Sequence, residues 1–136
     1  MPAIDIVDET FVAAPRARVA AVVADRARWR GWWPGLDLVV YMDRGLDGIR
    51  WTVTGELVGS AEIWLEAWQQ GVILHAYLRA DPTIPGSPTQ PRAVPATPRG
   101  LRHLRVLRER HAIAFKRQAW AIKDELEAVG QARGVS

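Results

Sequence analysis

The segment spanning residues 11–34 constrains the fold most, because it sets the end of a strand, the start of a helix and an aromatic anchor in turn. Just before it, apolar and acidic residues alternate over residues 3–12, which predicts a strand with one buried face. Pro15 suits the first turn of a helix, where its missing N–H costs nothing. Asp25 can cap a second short helix, which runs to Trp33 and is stopped by a Pro-Gly pair. The segment therefore predicts one strand followed directly by two short helices.

The rest of the chain predicts four more strands and one long helix. The strands are expected over residues 36–43, 48–56, 60–68 and 72–80. The last two form a hairpin that turns at Gln70-Gly71 or one residue earlier. Six of the nine prolines lie in residues 81–98, which we interpret as a linker because proline removes ladder donors. A helical stripe predicts the long helix over about residues 99–127, and we expect residues 1–136 to form a single domain.

Several classes of chemistry are disfavoured by what the sequence lacks. There is no cysteine, so disulfides, thiolate nucleophiles and thiolate metal sites are excluded. His75, His103 and His111 are scattered, and the last two lie roughly 80° out of phase on a helix, so we expect no metal site and no cofactor. No Gly-rich phosphate loop or nucleophile elbow is present. The N-terminus does not resemble a signal peptide and no apolar run could span a membrane, so we expect a cytoplasmic protein.

The net charge of +3 conceals a basic block near the C-terminus. Residues 92–123 contain nine basic residues and one acidic residue, whereas residues 1–91 contain eight basic and eleven acidic residues. This block is either a solvated helix face or a surface for an acidic partner. On the same helix Val106, Ile113 and Trp120 repeat every seven residues opposite the core stripe, which indicates a partner surface or packing against the linker. We expect no nucleic acid, because stacking residues are not interleaved with the arginines.

The inward stripe of the long helix predicts a ligand pocket. His111 and Gln118 place one polar group every two turns among apolar residues, a familiar way to orient a mostly apolar ligand. His111 is equally compatible with a core histidine whose hydrogen bonds are satisfied. Trp51 lies on a central strand, and Trp33 lies near the mouth. The predicted pocket residues are Trp33, Trp51, Val53, His111, Phe115, Gln118 and Ile122.

The predicted hairpin has one aliphatic face and one mixed face. The expected cross-strand pairs on the mixed face are Glu62 with Arg79, Trp64 with Tyr77, and Glu66 with His75. In one arrangement the aliphatic face packs on the helix, and the mixed face meets solvent or a second subunit. In the other, the mixed face forms the polar floor of a cavity, where Glu66 and His75 could act as a general acid–base pair. His111 is the third candidate for proton transfer, but no residue is assigned a catalytic role.

The order of strand, two short helices, antiparallel strands and long helix resembles the helix-grip fold of the START-like (SRPBCC) superfamily. More narrowly, it resembles actinobacterial polyketide cyclase/dehydrase-like proteins. The resemblance rests on Phe11-Val12-Ala13-Ala14-Pro15, Val19, Val22, Asp25, Trp29, Trp32-Trp33-Pro34, and residues 48–53, 62–66 and 71–81. It implies an α+β fold in which a curved antiparallel sheet wraps around the long helix, with ligands between the two. Family members usually have six strands between the short helices and the long one. Four are predicted here, which implies a smaller cavity and a sheet edge covered by the linker or a second subunit.

Three functions follow from these features. The first is binding of a small apolar or aromatic metabolite or lipid between the sheet and the helix, as the resemblance implies. The second is an aromatase/cyclase or dehydratase in which His75 or His111 moves protons. The third is an interaction or homodimerisation protein that uses the basic helix. Catalysis would show as a pH dependence near neutrality, and association through the basic helix as a dependence on salt.

Overall fold

The protein is built on one antiparallel sheet that curves around a long helix. The computed structural model describes the backbone of residues 2–134 and the side chains of residues 2–130. The strands are β1 (Ile4–Val12), β2 (Leu36–Asp43), β3 (Gly48–Gly55), β4 (Leu57–Trp68) and β5 (Gly71–Pro82). The helices are α1 (Arg16–Val23), α2 (Arg26–Trp32) and α3 (Pro98–Gly134), and one 3-10 turn, Gly45–Asp47, precedes β3. The strand order is β1-β5-β4-β3-β2. The predicted five-stranded helix-grip architecture is confirmed.

The two short helices form where the sequence predicts them and bring tryptophans to the core. Pro15 precedes α1, and the Asp25 carboxylate accepts a hydrogen bond from the Ala27 N–H at 3.1 Å, capping α2. The Trp29 indole N–H donates to the Val23 carbonyl at 2.8 Å, which fixes the angle between the helices. Trp32 follows one turn later and is buried. The α1–α2 pair thus covers one end of the sheet with aromatic side chains.

The hairpin of β4 and β5 differs from the prediction by its register. Its turn is Gln69-Gln70, the earlier of the two positions left open, so Trp64 pairs with His75 and not with Tyr77. All three predicted cross-strand pairs are therefore wrong by the same shift: Glu62 lies opposite Tyr77, Glu66 opposite Ile73, and Arg79 opposite Ser60. Gln69 takes the left-handed conformation, with φ of 52°. The aliphatic face of the hairpin belongs to the core.

α3 covers the free edge of β1. Lys116 Nζ donates to the Glu9 carbonyl at 3.1 Å, and Lys123 Nζ donates to the Phe11 carbonyl at 2.8 Å. Arg108 makes a longer contact of 3.4 Å to a third carbonyl of the strand. The expectation that the linker or a second subunit covers a sheet edge is corrected at β1, because side chains of α3 satisfy the edge carbonyls.

The proline-rich segment is a fixed loop and not a free spacer. Its predicted range of 81–98 is too long, since β5 continues to Pro82 and α3 begins at Pro98. The Thr83 hydroxyl donates to the Gly55 carbonyl at 2.7 Å, and the Gly55 N–H donates to the Pro88 carbonyl at 3.0 Å. The loop is therefore anchored to the turn between β3 and β4. Among the described residues, no helix is long and apolar enough to cross a membrane.

Candidate functional site

An aromatic cluster fills the space between the sheet and α3. Trp33 at the end of α2 stacks on Phe115 of α3, with ring centroids 4.8 Å apart and planes at 17°. Trp51 of β3 makes edge-to-face contacts with Trp29 at 5.2 Å and Trp32 at 6.1 Å, and Trp32 also meets Phe115 at 6.5 Å. The cluster joins α2, β3 and α3 into one packed unit.

The predicted pocket residues all lie in this interior. Six of them are at most 3% exposed: Trp33, Trp51, Val53, His111, Phe115 and Ile122. Gln118 is half-buried and packs over Gly31, so closely that a Cβ there would lie 3.1 Å from the Gln118 side-chain carbonyl carbon. The aromatic members pack closely on one another, with ring centroids between 4.8 Å and 6.5 Å apart. A ligand at this place would have to displace an aromatic ring.

The interior between the sheet and α3 contains buried nitrogen atoms that make no hydrogen bond to the described residues. They are Nε1 of Trp33, Nε1 of Trp51 and both ring nitrogens of His111. A buried donor or acceptor without a partner costs about 1–3 kcal/mol relative to one that is satisfied. Such groups are rare in a folded interior and call for a reason. Here they are concentrated among the residues that the sequence predicts to face a ligand.

His111 also has a charged neighbour near the end of the β3–β4 turn. Its Nε2 lies 3.9 Å from Glu56 Oε2, too far for a hydrogen bond, while Arg110 forms an ion pair with the other Glu56 oxygen. Burial lowers the pKa of His111; the Glu56 charge opposes this effect and the Arg110 charge adds to it. The imidazole is therefore neutral near pH 7, with one nitrogen as donor and one as acceptor. Sequence reasoning missed Glu56, which no periodicity distinguishes.

The mixed face of the hairpin lies on the outer side of the sheet, away from α3. Trp64 stacks on His75, with ring centroids 4.5 Å apart. The two His75 nitrogens face Glu66 at 3.1 Å and Glu9 at 3.3 Å. The predicted proximity of Glu66 and His75 is thus present diagonally. The arrangement with this face as the floor of an inner cavity is corrected, because the aliphatic face turns inward.

The other members of the mixed face form a paired network. Glu62 is buried, at 5% exposed, and its carboxylate forms ion pairs with Arg50 at 2.6 Å and Arg44 at 3.0 Å. The hydrogen bond to Glu62 raises the pKa of Arg50. Arg79 lies over the Tyr77 ring at 4.7 Å, and burial raises the pKa of that phenol. Because each charge has a partner within the fold, a structural role accounts for this network.

Two surface clefts lie near the ends of α2 and α3. One, of about 180 Å³ between α2 and β2, is bordered by Trp29, Arg26 and Leu38. Since Trp29 also contacts Trp51, this cleft ends at the aromatic cluster. The other, of about 310 Å³, lies between the proline-rich loop and the first turns of α3, beside Arg92 and His103. The first cleft leads towards the predicted pocket residues, whereas none of those residues lines the second.

Comparisons with known proteins identify the fold. No protein-family model and no curated protein matches the sequence. The structure is similar to the solution structure of the Aha1 dimer from Colwellia psychrerythraea, at 11% identity over 91% of this chain and 96% of that chain, with a TM-score of 0.58. It is also similar to TTHA0849 from Thermus thermophilus, at 13% identity over 92% and 98% of the two chains, with a TM-score of 0.53. A third similar structure is DR_A0006 from Deinococcus radiodurans, at 15% identity over 79% and 96%, with a TM-score of 0.50. At these identities the likeness concerns the fold alone, and the chain has the helix-grip fold.

Proposed function

We propose that this protein binds a small apolar or aromatic molecule, a metabolite or lipid, between the sheet and α3. A polar group of that molecule would accept a hydrogen bond from His111 and from the indole N–H of Trp33 or Trp51. One observation carries the proposal: these buried nitrogens of Trp33, Trp51 and His111 have no partner among the described residues. An apolar site with a few convergent polar groups is the usual form of a small-molecule pocket.

The ligand reaches this place through the cleft between α2 and β2. Trp29 borders the cleft, packs edge-to-face on Trp51 and donates its indole N–H to the Val23 carbonyl. Because the cluster is filled, entry requires that Trp29 swings outward with α2. The binding-competent state is then a minor one, and its low population reduces the apparent affinity. The new hydrogen bonds to the buried nitrogens compensate for this opening.

Binding without catalysis fits the geometry better than the alternative of a polyketide aromatase/cyclase or dehydratase. A general acid or base must lie within hydrogen-bond reach of the reacting atom. Of the three candidates, His75 and Glu66 lie on the outer face of the sheet, and only His111 faces the interior. One neutral imidazole without a hydrogen-bonded carboxylate lacks the paired groups that such proton transfers use.

The test uses 2-naphthol, an apolar aromatic with one hydroxyl group, titrated into protein labelled with ¹⁵N. We expect the Trp33 and Trp51 indole N–H resonances to shift, and His111→Leu to weaken binding by about tenfold or more, the equivalent of one hydrogen bond in a dry site. His103→Leu, on the exposed side of the same helix, is the matched control and should bind as the wild type does. Equal affinity of the His111→Leu variant, or unchanged indole resonances, would refute the proposal. If the proposal holds, native mass spectrometry of protein purified from its own host would identify the natural ligand.

A further inference from the structure

The outer side of α3 carries a row of seven exposed residues. Three of them are apolar, and Val106, Ile113 and Trp120 are 54%, 53% and 55% exposed. The row, from its N-terminal end, is Arg102, Val106, Glu109, Ile113, Arg117, Trp120 and Asp124. We call it the α3 row. It is distinct from the buried stripe, which includes His111 and Phe115.

The spacing of the α3 row keeps it on one side of a straight helix. Its steps are 4, 3, 4, 4, 3 and 4 residues, an average of about 3.7, close to the 3.6 residues of one helical turn. At about 100° per residue the whole row falls within an arc of about 80° and extends over roughly 33 Å. A second helix can therefore lie along it without the supercoiling that a strict seven-residue repeat requires.

The α3 row is symmetric in its chemistry about Ile113. Val106 and Trp120 are each seven residues from this centre, and both are apolar. Arg102 and Asp124 are each eleven residues away and have opposite charges. Glu109 and Arg117 are each four residues away and also have opposite charges. Reversing the row about its centre thus puts apolar residues against apolar ones and each charge against its opposite.

The charges of the α3 row are available for an external partner. None of its four charged side chains makes an ion pair with the described residues. The neighbouring cations Arg110 and Lys116, which the same reversal would bring together, are neutralised within their own chain by Glu56 and Asp8. Lys116 also lies 5.7 Å from the Trp120 ring, which holds that indole over the row.

We propose that the α3 row binds a second copy of this chain, with the two α3 helices antiparallel about a twofold axis at Ile113. Val106 then packs on the partner's Trp120, and Ile113 packs on the partner's Ile113. Arg102 lies opposite the partner's Asp124, and Glu109 opposite the partner's Arg117. Such a contact is isologous, so it closes at the dimer. Opposite charges at the rim set the register, while the apolar centre provides the affinity.

A second copy fits this surface better than an unrelated acidic partner. Two positive and two negative charges alternate along the α3 row, so a uniformly acidic segment would face repulsion from Glu109 and Asp124. The copy matches every position of the row. The contact is one helix wide, which places it among small interfaces, and we expect the dimer to dissociate on dilution.

Charge reversal tests the pairing by sedimentation equilibrium. Glu109→Arg places like charges opposite each other, as does Arg117→Glu, and each should weaken homodimerisation by about tenfold or more. Mixing the two single variants should restore a dimer, because each then supplies the charge that the other lacks. The double variant in one chain should also recover the homodimer. Arg105→Gln, on the same helix outside the row, is the control and should dimerise as the wild type does.

The register is tested by cross-linking, for which the absence of cysteine is an advantage. Ile113→Cys lies on the proposed axis, so mild oxidation should join two copies through one disulfide. Val106→Cys lies opposite Trp120 and not opposite itself, and should cross-link poorly. A wild-type monomer at high concentration would overturn the proposal, as would a dimer insensitive to both charge reversals. Cross-linking at Val106→Cys but not at Ile113→Cys would refute the antiparallel register. Circular dichroism verifies that each surface variant keeps its helix.

Discussion

At the scale of the residue, His111 is a titratable group held neutral by its surroundings. Burial lowers its pKa below the ordinary value of 6.5. As the pH falls below about 6.5, this histidine becomes protonated in the unfolded chain but stays neutral in the folded one. The unfolded state then binds more protons, so the free energy of unfolding decreases with falling pH until the lowered folded pKa is reached.

We therefore expect His111→Leu to remove a pH-dependent loss of stability. Wild-type protein should lose melting temperature between pH 7 and pH 5.5, and the variant should lose less. Because leucine has no unpartnered nitrogen, the variant should also be more stable at pH 7 by about 1–3 kcal/mol. Thermal unfolding at several pH values measures both effects, with His103→Leu as control. A variant less stable than the wild type at pH 7 would mean that the imidazole has a partner after all.

The hairpin register shows where single residues escape prediction from sequence. Gly71 looks like a turn residue, and this placed one of the two predicted turns at Gln70-Gly71. In the structure Gly71 begins β5, and a Cβ there would lie 2.3 Å from the Val12 carbonyl oxygen. The glycine thus permits close approach of β1, a long-range requirement that no local pattern reveals. Gln69 takes the left-handed conformation instead, which is uncommon for a residue with a side chain.

At the scale of the element, the edge strand β1 depends on the two lysines of the chain. Lys116 contacts Glu9 and Thr10, and Lys123 contacts Phe11. The same helix carries several arginines, and the sequence offered no reason why lysine should stand at these two positions. A compact ammonium group donates in several directions at once, which suits a row of strand carbonyls. The amphipathic stripe of α3 was predictable from its periodicity, but this second set of contacts was not.

We expect the double variant Lys116→Met, Lys123→Met to expose the edge of β1. Because both lysines are about one-third exposed, each change should reduce the free energy of unfolding by only about 1 kcal/mol. The larger effect should be aggregation through edge-to-edge strand pairing. Urea unfolding and light scattering measure the two effects. Arg99→Met and Arg105→Met, exposed on α3 and outside the α3 row, serve as a matched control that should change neither; equal scattering by both double variants would show that the edge is not protected by the lysines.

At the scale of the whole molecule, the tryptophans of α2 determine how the layers are joined. Trp29, Trp32 and Trp33 are all buried. Their partners, Trp51 and Phe115, come from distant parts of the chain. Periodicity identifies which residues face inward, but only the tertiary structure shows that these rings meet and fill the space that the resemblance assigned to a ligand. Whether a ligand can enter this fold therefore depends on how these rings pack in the core.

Trp32 lies at the centre of that packing, so its removal tests directly whether the interior can hold an aromatic ligand. Trp32→Ala should remove about 3–5 kcal/mol from the free energy of unfolding, a large part of the roughly 5–15 kcal/mol typical of a domain. If the surrounding rings hold their places, the cavity left behind has the shape of an indole, and added indole should raise the melting temperature of the variant more than that of the wild type. Trp68→Ala, which removes a half-exposed tryptophan, should change stability little and show no rescue. An unrescued Trp32→Ala protein would show that the cluster collapses inward, and a ligand-binding interior would then lose its physical basis.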